Sequence, residues 1–142
     1  MAKYSTQCYK KGYAQGNKMR IFKNKAFSKW AAKEGLDDAD LLAAVDEMER
    51  GLIDADLGGH VVKKRVAMGG RGKSGGGRTL LAYKINNRAF FVYGFSKNAR
   101  ANISADELKA LKYLAKELIG YSDTAIDEAI MHGALIEVEN DG

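Results

Sequence analysis

Thr79-Leu80-Leu81-Ala82-Tyr83-Lys84-Ile85-Asn86-Asn87-Arg88-Ala89-Phe90-Phe91-Val92-Tyr93-Gly94-Phe95 is the stretch that decides the fold. Two runs rich in aromatic and aliphatic residues, 79–85 and 89–95, flank the short polar link Asn86-Asn87-Arg88. Runs of this length, broken by turn-forming residues, predict an antiparallel hairpin. Simple alternation along the second strand sets Phe91, Tyr93 and Phe95 on one face and Phe90 and Val92 on the other. Lys97 continues the first of these faces if the strand runs that far.

Upstream, residues 61–68 read as another strand. Alternation gives Val62, Lys64, Val66 and Met68 one face, and Lys63 and Arg65 the other. Residues 68–77 form a glycine-rich loop. Before these, residues 19–23 predict a short strand. A helix follows with Phe27, Trp30 and Ala31 on one face and Gly35 placed to end it. A second helix begins near Asp37, where the aspartates suit the positive helix N-terminus; Leu41, Val45, Met48 and Leu52 form its apolar stripe. Downstream, Ser104-Ala105-Asp106-Glu107 matches a capping box, and Leu108, Leu111, Ala115 and Leu118 follow at helical spacing. A shorter helix over about 124–132 stops at Gly133, and Leu135–Val138 reads as a last strand. The order β-α-α-β-β-β-α-α-β predicts an α+β fold, with a mainly antiparallel sheet and helices packed on one face. Residues 19–142 make a single domain, and residues 1–18, polar and without periodicity, read as an irregular N-terminal extension.

The chain has 142 residues and a formal net charge of +5, with 46% hydrophobic residues, enough for one modest core. No apolar run approaches the roughly 18 residues of a membrane span, and no apolar signal core follows the first lysines. The single cysteine, Cys8, fits a reducing cytoplasm, which is the expected location. The mild net charge hides a segregation. All 18 acidic residues lie in segment 34–56 or from Asp106 onward, while residues 60–100 hold ten lysines and arginines and no acid. Like charges gathered in this way predict a surface for a polyanion, RNA before others.

Ala67-Met68-Gly69-Gly70-Arg71-Gly72-Lys73-Ser74 fits a relaxed phosphate-binding loop, but a helix must follow the lysine for that function, and here more glycines and a strand follow. Nucleotide hydrolysis is therefore not expected, although Arg71, Lys73 and Arg78 remain suited to nucleic-acid phosphates. His60 and His132 belong to no cluster with ligand spacing, so neither a metal nor another cofactor is expected. Cys8 has no partner that would mark it as a nucleophile. What remains is cationic and aromatic chemistry, the combination by which proteins hold RNA phosphates and stack on bases.

From Met19 to about Val138 the sequence resembles the RelE/HigB-type toxins of bacterial type II toxin–antitoxin modules. The resemblance is carried in order by Asp54-Ala55-Asp56-Leu57-Gly58-Gly59, Lys63-Lys64-Arg65-Val66-Ala67, Gly72-Lys73-Ser74-Gly75-Gly76-Gly77-Arg78-Thr79, the segment 90–98, Ala101-Asn102-Ile103 and Glu107-Leu108. It points to the subgroup with a Gly-Lys-Ser-Gly-Gly loop and a Gly-Phe-x-Lys-Asn strand end. The resemblance implies a small RelE-like fold and metal-independent cleavage of mRNA in the ribosome, with the 2′-hydroxyl attacking the next phosphate. It also implies a cognate antitoxin, expected to be of the helix-turn-helix type. That chemistry needs proton transfer and positive charge against the developing phosphorane. By position, the resemblance assigns phosphate and base roles to Lys63 and Arg65, and transition-state stabilisation to Arg78 and Lys97. RNA binding falls to Lys64, Arg71, Lys73, Tyr93 and Arg100. Tyr113, Tyr121 and His132, the aromatic and imidazole groups after Lys97, match no family general acid. Two other readings keep the fold without the nuclease: a gyrase-inhibiting toxin of the ParE type and a non-catalytic RNA-binding module.

Overall fold

The computed structural model describes residues 19–67, 76–85 and 87–139. The elements in chain order are β1 (Arg20–Asn24), α1 (Lys25–Glu34), α2 (Asp38–Glu49), β2 (Ala55–Asp56), β3 (Val61–Val66), β4 (Gly77–Ile85), β5 (Arg88–Ser96), α3 (Ala105–Ile119), α4 (Asp123–Met131) and β6 (Leu135–Val138). Only the two-residue β2 was not anticipated. The strands form one six-stranded sheet in the order β2-β3-β4-β5-β1-β6. Every pairing is antiparallel except β1 with β5. The fold is α+β, as expected.

The helices start and stop where side chains satisfy the orphan backbone groups. The Asn24 side chain accepts from the Phe27 amide at the start of α1, and Gly35 ends that helix at φ 76°, a left-handed value that costs glycine nothing. Asp37 with Asp40, and Ser104 with Glu107, close complete capping boxes on α2 and α3. Ser122 caps α4.

The helices do not share one face of the sheet, which corrects the sequence expectation. Phe27, Ala31, Leu41, Val45 and Met48 of α1 and α2 pack on Ile21, Val62, Leu81 and Phe91. Leu111, Ala115 and Leu118 of α3 and Ile126 of α4 pack on Phe22, Val61, Leu80 and Phe90 from the other side. The strands foretell this, because the central ones are apolar at successive positions; a strand buried on both faces needs no polar alternation. Ring contacts lock each layer: Phe22 stacks on Phe90 at 5.1 Å, and Phe27 meets Phe91 at 5.1 Å.

Three finer expectations also change. Leu52 is 51% exposed, because α2 ends at Glu49 and the chain turns away before the stripe is complete. The second is the face shared by Phe91, Tyr93 and Phe95. Leu80 pairs with Tyr93 and Leu81 with Phe91, so Val92 is an extra residue in β5 and the strand is bulged there. Phe91 consequently faces α1, whereas Phe90, Val92, Tyr93 and Phe95 all belong to the α3 side. Third, Arg88, which the sequence places in the polar link of the hairpin, is buried. It is 7% exposed, donates to the Tyr121 carbonyl, and reaches the Asp123 carboxylate at 2.6 Å, tying the hairpin to the start of α4. The side chain of Lys84 lies outside the described residues.

Candidate functional site

Strand register assembles the site. Lys63 stands opposite Leu80, and Leu80 opposite Tyr93; one row along, Arg65 stands opposite Arg78, and Arg78 opposite Phe95. Opposed residues in an antiparallel pair share a face, so Lys63, Arg65, Arg78, Tyr93 and Phe95 lie on the α3 side of the sheet. Arg65 and Arg78 face each other as like charges, an arrangement that on its own costs up to about 1 kcal/mol. Lys97 follows the last residue of β5, in an exposed turn beside the start of β4, where Gly77 pairs with Ser96. Neither Lys63 nor Lys97 makes an ion pair among the described residues. Four predicted residues, Lys63, Arg65, Arg78 and Lys97, are thus gathered at one end of the three-strand surface.

Acidic residues from outside the basic stretch return to hold some of its cations. Arg65 is fixed by Asp54: its amide donates to one carboxylate oxygen at 2.6 Å and its Nε to the other at 3.0 Å. Burial pushes the Asp54 carboxyl up, but the two Arg65 donors outweigh it and leave the group below its ordinary value. The guanidinium nevertheless remains half exposed (46% of the side chain), so it keeps donors for a ligand. Arg78 bonds the Gly76 carbonyl through one NH group at 3.5 Å.

Lys64 does not join this surface. It is 3% exposed on the α2 side, with Nζ 2.7 Å from a Glu47 carboxylate oxygen and 2.8 Å from the Leu52 carbonyl. Alternation alone demands this, since a strand cannot present three consecutive residues to one side. Arg71 and Lys73 lie outside the described residues.

Tyr93 and Arg100 are brought together by Glu107, a residue to which the sequence assigned a helix cap and a place in the family pattern but no role at the site. Arg100 reaches both oxygens of Glu107, at 2.6 and 2.9 Å, and its NH1 donates to the Tyr93 hydroxyl at 3.1 Å. The Tyr93 hydroxyl donates to Glu107 at 3.2 Å, and the guanidinium lies over the Phe95 ring with its carbon 5.8 Å from the centroid. The Arg100 hydrogen bonds, then the Ser104 amide, hold the Glu107 carboxyl down at about 2. The Arg100 guanidinium is raised in turn, chiefly by Glu107. This cluster roots the loop after β5 on α3 and sets Tyr93 beside Phe95, ring centroids 6.2 Å apart.

Two residues were therefore missed, Asp54 and Glu107. Asp54 had a faint signal: it sits nearly as far before the Gly58-Gly59-His60 turn as Arg65 sits after it, so a hairpin there brings them together. Among the described residues no group of three His, Cys, Asp or Glu side chains could hold a metal ion.

The sequence that builds this fold is matched by a family model over most of its length. The model for the RelE toxin of the RelE / RelB toxin-antitoxin system matches residues 19–138. The chain belongs to the RelE toxin family. It is accordingly the toxin of a toxin–antitoxin system, with a cognate antitoxin as partner. Among curated proteins, none matches the chain. No described helix of this RelE-family toxin is long and apolar enough to cross a membrane.

Proposed function

We propose that this RelE-family toxin is an endoribonuclease that cuts messenger RNA on the ribosome and so blocks translation. The observation that carries the reading is the register that sets Arg65 against Arg78, with Lys63 on the same face and Lys97 at the strand end. Two arginines opposed across neighbouring strands repel, and a phosphate between them turns that repulsion into attraction.

The reaction is a transesterification without a metal. The ribose 2′-oxygen forms a bond to the adjacent phosphorus, the bond to the 5′-oxygen breaks, and the products carry a 2′,3′-cyclic phosphate and a 5′-hydroxyl. One proton leaves the 2′-hydroxyl and another must reach the departing 5′-oxygen. Arginine stays protonated in proteins, so the base role falls to Lys63 and Arg65 holds phosphate, oriented by Asp54. Arg78 and Lys97 face the charge that builds on the phosphorane. Arg71 and Lys73 bind backbone phosphates, and Tyr93, only partly buried, offers aromatic surface to an unstacked base. The Glu107 clamp suits Arg100 to orienting Tyr93 more than to binding phosphate on its own. The partners on this reading are mRNA and the ribosome in the cytoplasm, and an antitoxin of the helix-turn-helix type.

The test is purified ribosomes programmed with a defined message. Cuts at fixed codon positions, lost when the cut-site nucleotide is 2′-deoxy, are expected. Intact message together with arrested DNA gyrase would place the chain with the ParE-type toxins, and salt-sensitive RNA binding without cuts would make it a binding module.

A further inference from the structure

A second cationic surface lies on α3, outside the basic stretch of the sequence. Lys109, Lys112 and Lys116 recur at helical spacing along one stripe, with Tyr113 beside them at 67% exposure. They line, with Gly59 and His60, a groove of about 530 Å³ that has no acidic residue in its wall. None of the three lysines makes an ion pair among the described residues, whereas Lys23, Lys64, Arg65, Arg88 and Arg100 all do.

The groove has a built wall. The turn Gly58-Gly59-His60 is left-handed at three successive residues, with φ 83°, 60° and 66°. His60 tolerates that value because its carbonyl is held by the Tyr83 amide at 2.9 Å. The turn lies directly against the stem of Lys112, so that a Cβ on Gly59 would stand 2.9 Å from Lys112 Cγ. The Lys112 stem therefore runs along the turn, which places its ammonium beside Gly58 at the groove. Val61, which follows the turn, packs with Leu111 and Ala115 of α3, so the groove opens on the same side of the sheet as Lys63, Arg65 and Arg78.

We infer that this groove is a second RNA-binding site, in which Lys109, Lys112 and Lys116 hold consecutive phosphates and Tyr113 stacks on an unpaired base. Charge complementarity and the shared face with the cleavage site favour RNA as the occupant over an acidic protein segment. The inference rests on the RNA-directed reading above, extending it beyond the strand that is cut.

The probe is a fluorescent 2′-O-methyl oligoribonucleotide of about 16 nucleotides, which cannot be cleaved and is bound by the full chain. Lys109→Gln with Lys116→Gln is expected to lower the slope of log K against log salt by about 1.4, two contacts at roughly 0.7 each for single strands. Lys25→Gln with Lys29→Gln removes the same charge from α1, on the opposite side of the sheet, and is expected to leave most of the slope. Tyr113→Ala lowers affinity about tenfold and Tyr113→Phe restores it. Equal losses from the two lysine pairs, or an antitoxin affinity that falls while RNA affinity stands, would overturn the inference. Selective loss in the α3 variants upholds it even if the wild type leaves messages uncut, while codon-positioned cutting with unaltered α3 variants removes the groove and leaves the nuclease.

Discussion

Lys64 and Lys63 are neighbours in sequence with opposite environments, and the difference is testable residue by residue. Lys64 is buried against Glu47, so Lys64→Ala removes this buried ion pair together with the bond to the Leu52 carbonyl and is expected to cost about 3 kcal/mol of stability, read by urea unfolding. Cutting per folded molecule should remain at the wild-type level. Lys63→Ala should do the reverse, leaving unfolding within about 0.5 kcal/mol of wild type and removing activity. Glu107 gives a pH signature. Its folded pKa of about 2 lies below the ordinary 4.5, so the carboxylate form stabilises the fold. That contribution is complete above about pH 4.5 and is lost as pH falls towards 2. A Glu107→Gln variant should therefore lose stability at neutral pH but unfold less steeply with acid in that window, by circular dichroism. An unchanged acid profile would mean that Arg100 does not hold Glu107 in solution. Period-two alternation set Lys63 and Lys64 on opposite faces, although the family resemblance still assigned Lys64 to RNA, a role its burial removes. The partners were less legible: Asp54 gave only its position across the Gly58-Gly59-His60 turn from Arg65, and Glu107 read as a helix cap whose link to Arg100 no local pattern reveals.

Among the elements, β5 carries the most constraint. It is bulged at Val92, and beyond the bulge its Gly94 receives Trp30 of α1. A Cβ at Gly94 would come within 2.3 Å of the Trp30 ring, far inside contact distance. Gly94→Ala is expected to destabilise by about 2 kcal/mol through overpacking. In a Trp30→Ala background the same change should cost much less, and additive losses in the double-mutant cycle would contradict the close approach. Strand and helix identities were readable because apolar runs, capping boxes and terminal glycines all agree locally. The bulge was not, because nothing in the composition of the strand marks one residue as extra, yet that residue puts Phe91 and Phe95 on opposite faces. The placement of helices on both faces was legible instead in the unbroken apolar run of β5, a signal that the expectation of a one-sided sheet passed over.

Across the whole molecule, segregation of charge in sequence turns out not to be segregation in space. Glu47, Asp123 and Glu107, drawn from the acidic flanks, take up Lys64, Arg88 and Arg100, while Asp54 fixes Arg65 and leaves its guanidinium half exposed. The cationic surface is consequently smaller and more sharply placed than the run of residues 60–100 suggests: Lys63, Arg65, Arg78 and Lys97 at one end of the sheet, with Lys109, Lys112 and Lys116 across α3. The family match starts at residue 19, and removing residues 1–18 is expected to leave both the unfolding midpoint and toxicity intact. The central claim, that Arg78, opposed to the phosphate-holding Arg65, acts on the transition state of RNA cleavage, is tested most directly by single-turnover cutting of a ribosome-bound message at saturating toxin. Arg78→Ala should slow the cut about 100-fold or more, with ribosome affinity nearly unchanged. A single-turnover rate equal to wild type in that variant would contradict the account.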